Sequence, residues 1–413
     1  MKLAGTYAIG ETFWDRKEDI RLFMDKIREG NHLLLVAQRR MGKTSLMMEA
    51  AERLKNDFTT LYVDLEKAFD GPDTIKELGV AAYAHKSLRG KVKDLFANAL
   101  ASIRKSIDTV SIGDVGIHLR DGLDKGTWPS KGDGLLEVMA ASEKPVLLMF
   151  DEIPIMVNRM LKGQDYTITP ERKRDVDQFM SWLRRNSIAH QGKIRMVLTG
   201  SIGFEPVLHQ AGLSATLNTF HPFDLPPWDR AAAVGCLDAL AEGYGIRFED
   251  GTQDKMVDML GCCIPEHVEM FFSHVRDRCH RNHRHEFRKS DVAEVYRDEM
   301  LGARGHAALT HYEERLKMVL GNELSPLAFE MLSEAAITGC LGREQLLALQ
   351  AGIALEQRSP ADAQKEIIHV LEHDGYFRGS RKGYVFVSHL VRDWWKKTHE
   401  QFFTPVLERK RKN

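Results

Sequence analysis

Apolar and polar positions follow two rhythms along the first half of this chain. Residues 15–29, DRKEDIRLFMDKIRE, put Ile20, Phe23, Met24 and Ile27 on one side at helical spacing with charges around the rest, which predicts a surface helix. The short apolar run HLLLVA (32–37) follows, then QRRMGKTS, a helical pattern in LMMEAAERLKND (46–57) and the strand-like TTLYVDL (59–65). Strand, loop, helix and strand in that order predict a parallel sheet with crossover helices. The alternation continues through PVLLMFDE (145–152), a helix around 171–187 and KIRMVLTGS (193–201). The expected fold class is therefore α/β.

Two segments interrupt this rhythm. TVSIGDVGIHLR (109–120) alternates apolar and polar residues around Gly113 and predicts a small inserted hairpin. FHPFDLPPWDR (220–230) carries three prolines and is expected to end the sheet, because proline removes ladder donors and restricts the residue before it. Residues 230 to about 300 read as helices. From about 322 the pattern predicts three helices and then two strands: FEMLSEAAI, REQLLALQ, DAQKEIIHVLEHDGYF and YVFVS. Ser359-Pro360 supplies an N-cap and a first-turn proline for the third of these helices.

Composition narrows the class. At 413 residues, with 43% apolar and 28% charged positions, the chain has the balance of a globular protein of two or three domains. Five irregularly spaced cysteines argue against a disulfide framework, and no window is apolar over ~18 residues, so a cytoplasmic protein without a membrane span is expected. A net charge of −1 means that any nucleic-acid binding has to come from a local patch.

The candidate chemistry lies at the strand ends. Ala37-Gln38-Arg39-Arg40-Met41-Gly42-Lys43-Thr44 fits the phosphate-loop pattern except that Ala37 stands where the first glycine is usual, which is acceptable only if φ is negative there. Gln38, Arg39, Arg40, Met41, Gly42, Lys43, Thr44 and Ser45 are the candidate ATP-binding residues. Lys43 is placed to reach the β and γ oxygens, and the Thr44 hydroxyl to bind Mg2+. A Gly-Lys-Thr tripeptide alone is weak, since a plain strand-to-helix turn reads the same way. The second piece is a buried strand, Val146 to Phe150, ending in Asp151 and Glu152. Asp151 is expected to hold Mg2+ through water, together with Thr44, and Glu152 to polarise the attacking water. A third apolar strand ends Leu198-Thr199-Gly200-Ser201, where Thr199 or Ser201 is placed to sense the γ-phosphate. The candidate catalytic residues are therefore Glu152, Asp151 and Thr199.

Several of these segments together resemble the archaeal-type ATPases of the STAND branch of the AAA+ P-loop superfamily. They are Phe13-x-x-Arg16-Lys17-Glu18, Arg39 to Ser45, Phe150-Asp151-Glu152-Ile153-Pro154, Trp182-Leu183-Arg184, Leu198 to Gly203, Asp374-Gly375-Tyr376 and Arg392-Asp393-Trp394-Trp395. The resemblance implies an αβα ATPase core at 1–228, a helical lid at 229–305 and a winged-helix-like domain at 306–413. It also implies that ATP with Mg2+ acts as a conformational switch. Two departures bear on this. Residues 204–220 contain no arginine, so an arginine finger has to come from elsewhere, with Arg184 and Arg185 as substitutes, and Cys263 stands at the glycine of a Gly-x-Pro turn ending at Pro265. The expected function is a slow ATPase that controls a winged-helix output. The alternatives are a nucleotide-regulated DNA-binding protein (an initiator, transposition or mobile-element factor) and an ATPase of a defence system.

The remaining signals are weaker. Cys279 to His285 carries sulfur and imidazole groups but fits no standard zinc spacing and reads better as a solvated basic segment. Cys262 and Cys263, beside apolar neighbours, read as buried thiols, and Trp394-Trp395 reads as packing rather than base stacking. The third C-terminal helix is acidic, with Asp362, Glu366, Glu372 and Asp374 against Lys365. The hairpin after it carries Arg378, Arg381 and Lys382, and the tail reads Arg409-Lys410-Arg411-Lys412. Expected partners are a protein partner or a second copy of the chain, and DNA bound weakly and nonspecifically through wing and tail.

Overall fold

The computed structural model describes residues 1–3, 7–97, 112–352 and 359–409. The chain forms two compact units, one built from Arg16–Val36 and Lys43–Leu225, the other from Met1–Asp15, Ala37–Gly42 and Pro226–Asn413.

The first unit is a five-stranded parallel sheet between helices. Its strands are β1 (His32–Val36), β2 (Thr59–Asp64), β3 (Val146–Asp151), β4 (Ile194–Leu198) and β5 (Phe220–Asp224), in the order β2-β3-β4-β1-β5. The helices are α1 (Lys17–Arg28), α2 (Lys43–Leu54), α3 (Gly71–Ala84), α4 (Arg89–Leu95), α5 (Ile112–Asp121), α6 (Trp128–Ala140), α7 (Ile153–Lys162), α8 (Pro170–Ala189) and α9 (Phe204–Gln210). β3 and β4 are buried along their whole length, as expected of inner strands covered on both faces. α1 buries Ile20, Phe23 and Ile27, the stripe its spacing predicts. A side chain also ties the sheet: His32 accepts from the Met196 N–H at Nδ1 (3.0 Å) and reaches the Ser187 carbonyl through Nε2 (2.9 Å). Burial lowers the pKa of this imidazole, so it stays neutral and serves as donor at one nitrogen and acceptor at the other.

Two expectations are corrected here. The proline-bearing segment 220–224 does not end the sheet but forms its fifth strand, with Pro222 opposite Leu34. β5 is an edge strand, where a proline with no N–H to donate costs no second ladder; the Pro226-Pro227 pair follows two residues after the strand ends. The predicted hairpin at 109–120 is instead helix α5 over Ile112–Asp121, residues 109–111 lying outside the described set. Val115 and Leu119, four apart, are both buried, and Gly116 brings α5 against Val80 of α3. The apparent alternation was a helical i, i+4 pair with Gly116 between its members and Gly113 before it.

The second unit is mainly helical. α10 (Arg230–Tyr244), α11 (Thr252–Leu260) and α12 (Pro265–Arg281) come first, with the short parallel pair β6 (Arg247–Phe248) and β7 (Glu286–Phe287), then α13 (Val292–Val295) and α14 (Ala303–Leu309). α15 (His311–Thr338) is broken at Gly321, whose φ of 69° leaves the helical region. α16 (Arg343–Ala351), α17 (Pro360–His373) and the antiparallel hairpin β8 (Phe377–Ser380) and β9 (Gly383–Phe386) follow, then α18 (His389–His399) and α19 (Val406–Arg409). Ser359 caps α17 by accepting from the Asp362 N–H (3.1 Å). Trp394 and Trp395 are fully buried on α18 and donate to His306 Nδ1 and Ser333 Oγ, both at 3.0 Å, so they act in packing. Cys262 and Cys263 are buried free thiols, and burial pushes the Cys262 thiol up to about 11. From His280 to His285 the side chains are exposed, while Cys279 is buried.

Within the first unit, Trp182 stands edge-on to Trp128 at 5.4 Å and donates to Asp133 Oδ1 at 2.8 Å, which fixes its ring. A Cβ on Gly132 would lie 2.7 Å from both the Trp182 ring and Ile75 Cδ1. Gly132→Ala is therefore expected to destabilise the protein by about 1–3 kcal/mol through overpacking. An unobstructed helical site would instead gain up to about 1 kcal/mol from the better helix former. The shift of the denaturant midpoint distinguishes the two signs.

Candidate functional site

The carboxyl ends of β1, β3 and β4 lie side by side in the sheet. Each delivers polar residues to one place within the first unit. After β1 the chain passes through Ala37–Gly42 and enters α2 with Lys43, so Lys43, Thr44 and Ser45 form the first turn of that helix. A helix N-terminus of this kind favours an anion. Lys43 is only 8% exposed although charged, whereas Thr44 and Ser45 are half-buried.

β3 ends in Asp151, 6% exposed, whose carboxylate takes three donors. The Thr44 hydroxyl reaches Oδ2 at 2.9 Å, the Tyr62 hydroxyl reaches the same oxygen at 2.8 Å, and the Glu152 N–H reaches Oδ1 at 3.0 Å. Tyr62 was not singled out by sequence. It sits on β2 opposite Met149, so it shares a sheet face with Asp151 two residues further along β3, and only the strand register reveals this. Burial and the adjacent Asp151 charge push the Tyr62 pKa far up, keeping the phenol a donor.

Glu152 adopts the left-handed conformation (φ 57°) as the N-cap of α7, a conformation that costs a non-glycine residue roughly 1 kcal/mol or more. Its Oε2 accepts from both the Ser201 N–H (2.8 Å) and the Ser201 hydroxyl (2.9 Å). The two candidate sensor hydroxyls thus differ. Ser201 is committed to Glu152, whereas the Thr199 Oγ1 is buried without a hydrogen-bond partner. Gly200 lets the two strand ends close, because a Cβ there would lie 2.5 Å from the Pro154 ring. Arg185, considered as a substitute finger, donates from Nη2 to both oxygens of Asp133 at 2.9 and 3.0 Å, and Arg184 is exposed beside it.

Gln38, Arg39, Arg40, Met41 and Gly42 belong to the second unit. Left-handed turns fall at Arg40 (φ 70°) and Gly42 (φ 84°), and Ala37 is not among the described residues of positive φ. The missing first glycine therefore creates no strain at 37. Arg40 pairs with Glu266 in the first turn of α12 at 2.8 Å, and Met41 is buried. His267 and His311 lie close to this arginine; burial first, then the neighbouring guanidinium charges, push both imidazoles down to about 3. The Tyr312 hydroxyl lies 3.3 Å from His267 Nε2, and the Tyr376 hydroxyl donates to the Tyr312 carbonyl at 2.6 Å. Gln38 lies against Gly375, leaving no room there for a side chain. The side chains of Gln38 and Arg40 thus make contacts within their own unit.

The residues of the first unit suit a triphosphate with a divalent cation. A buried lysine sits at a helix N-terminus, a threonine hydroxyl and a carboxylate stand at hydrogen-bonding distance as in a metal-binding pair, and an orphan buried hydroxyl awaits a partner.

No protein-family profile matches this chain, and no curated protein matches its sequence. Solved structures do share its shape. The Walker-type ATPase PABY2304 of Pyrococcus abyssi superposes with a TM-score of 0.63 at 15% identity, covering 95% of this chain and 99% of that one. The Aeropyrum pernix ORC2 protein, solved as ADPNP-ADP complexes, gives a TM-score of 0.55 at 12% identity, covering 99% and 98%. At these identities the likeness is one of fold. The chain has an α/β P-loop ATPase-type core with a five-stranded parallel sheet, and similar folds extend over nearly its whole length.

Proposed function

We propose that this protein binds ATP with Mg2+ at Lys43, Thr44 and Asp151 and uses the bound state as a slow conformational switch. The observation that carries the reading is the 2.9 Å hydrogen bond from the Thr44 hydroxyl to Asp151 Oδ2, at the strand ends of a P-loop-type sheet and directly after Lys43. Bound Mg·ATP supplies a transferable phosphoryl group and the cation that neutralises it. The chain's residues divide the remaining work. The α2 N-terminus, Ser45 and the amides of residues 38–42 hold phosphate oxygens, Lys43 places its charge on the β and γ groups, and Thr44 with Asp151 holds the metal. Glu152 orients and deprotonates water, and Thr199 donates its unpartnered hydroxyl to the terminal phosphate.

The switch reading draws on the loop itself. Arg40 and Gln38 are fixed by Glu266 and Gly375 within the second unit, and the same few residues of backbone run straight into Lys43. A switch driven by the γ-phosphate is what the family resemblance implies for such a loop. The absence of arginine from residues 204–220 and the engagement of Arg185 with Asp133 favour slow turnover. On this reading residues 1–228 form the catalytic core, 229–305 a helical lid and 306–413 a winged-helix-like output domain. The STAND branch of the AAA+ ATPases remains the resemblance that fits these features, and cytoplasmic residence fits the free cysteines. Among the described residues no helix is long and apolar enough to cross a membrane.

A second reading, DNA binding by the output domain, is favoured by the hairpin β8–β9, where Arg378, Arg381 and Lys382 are all exposed. α17 argues against insertion in a groove, since Asp362 and Glu372 are exposed on it and Lys365 is its only lysine. Residues 410–412 of the basic tail lie outside the described set. An initiator, a mobile-element factor and a defence ATPase, with a protein partner or a second copy of the chain, are all compatible with such an output.

Three outcomes are expected. Lys43→Ala lowers ATP affinity more than about tenfold in calorimetry, as loss of a charge-assisted hydrogen bond to phosphate requires; unchanged affinity removes the phosphate-loop assignment. Glu152→Gln keeps ATP affinity while phosphate release falls by about a hundredfold or more, because the amide still accepts from Ser201 but cannot take a proton. Turnover at the wild-type rate in that variant moves the general base elsewhere. Finally, labelled duplex binds weakly and without sequence preference, and the Arg378/Arg381/Lys382 triple alanine variant flattens the logarithmic salt dependence by about 0.9 for each phosphate that is no longer neutralised. Tight, sequence-selective binding that survives the triple substitution would refute the charge argument.

A further inference from the structure

The Asp151 carboxylate is served by more donors than metal binding through Thr44 requires. Oδ2 accepts from Thr44 and from Tyr62, and Oδ1 accepts from the Glu152 backbone. The terminal torsion of an aspartate is broad, so a carboxylate with one side-chain donor swings freely. Two side-chain donors from different elements on one oxygen, with a backbone donor on the other, leave a single orientation. Thr44 comes from the start of α2 and Tyr62 from the middle of β2, so the carboxylate is pinned from two sides.

That orientation matters for the hydroxyl. A threonine oxygen that gives its proton to a carboxylate keeps its lone pairs for a cation, and the direction of those lone pairs follows the position of the acceptor. We propose that Tyr62 is a positioning residue for the cation end of the site: its hydroxyl locks Asp151 so that Oδ2 accepts the Thr44 hydrogen bond and the Thr44 oxygen faces Mg2+. Tyr62 itself touches neither nucleotide nor metal. The proposal rests on the ATP reading above, and it adds a residue on β2 to a site otherwise assigned to the ends of β1, β3 and β4.

The alternative is that Tyr62 only satisfies a buried charge. The two separate through the Mg2+ dependence of nucleotide affinity, measured by calorimetry with adenylyl imidodiphosphate in Mg2+ and in EDTA. For Tyr62→Phe, which keeps the ring, the ratio of the two dissociation constants is expected to fall about fivefold while affinity in EDTA changes by less than about twofold, as loss of one charge-assisted hydrogen bond acting on the metal alone dictates. In an Asp151→Asn background the same substitution is expected to leave the ratio unchanged, because the effect passes through that carboxylate. An unaltered ratio in Tyr62→Phe overturns the proposal, as does an equal loss in EDTA and Mg2+. A Tyr62→Phe protein too unstable to assay shows a bond that serves the fold and overturns it as well. Lys43→Ala keeps the two readings apart. If the wild type binds and Lys43→Ala does not, a failure at Tyr62 is a failure of this proposal alone. If Lys43→Ala binds like the wild type, the nucleotide reading has failed and takes the proposal with it.

Discussion

The oxygens of a nearly buried carboxylate need hydrogen-bond donors, and Asp151 organises the first unit around that requirement. Its partners come from three successive pieces of the sheet layer: the start of α2, the middle of β2 and the turn after β3. Each partner is correctly placed only if the parallel register is correct, with Asp64 opposite Asp151 and Phe150 opposite Leu198. One charge therefore links strand order to site geometry. The Thr44 hydrogen bond also ties the first turn of α2 to the end of β3 within the first unit.

The next residue carries the cost of this arrangement. Glu152 leaves the strand in a left-handed conformation and is then held by two hydrogen bonds from Ser201. A strained backbone under a well-anchored carboxylate is common where a side chain must point in one direction for chemistry. Gly200 makes the anchoring possible by letting β4's exit run against Pro154. Thr199 stands apart, its Oγ1 buried and without a hydrogen-bond partner.

Much of this was legible in the sequence, for physical reasons. Inner parallel strands are covered on both faces, so Val146–Asp151 and Ile194–Leu198 are written as unbroken apolar runs with polar residues at their ends. The phosphate-loop spacing fixed Lys43 and Thr44 at the entry to a helix. β5 was hidden because Pro222 is excluded from inner strands, and sequence alone does not say that this strand lies at an edge. α5 was hidden because Gly113 and Gly116, flanking Val115, imitate a period of two. Tyr62 was hidden more deeply. Its strand reads as an ordinary β pattern, and only pairing with β3 puts its hydroxyl on Asp151. The pairing of Arg40 with Glu266 likewise spans more than two hundred residues, and no local pattern encodes it.

The most direct measurement is a crystal structure of the protein with a non-hydrolysable ATP analogue and Mg2+. The account predicts the terminal phosphate against Lys43 and Thr199, with the metal beside Thr44 and Asp151. Nucleotide density elsewhere, or phosphate at the loop with Thr44 and Asp151 remote from the metal, would contradict it.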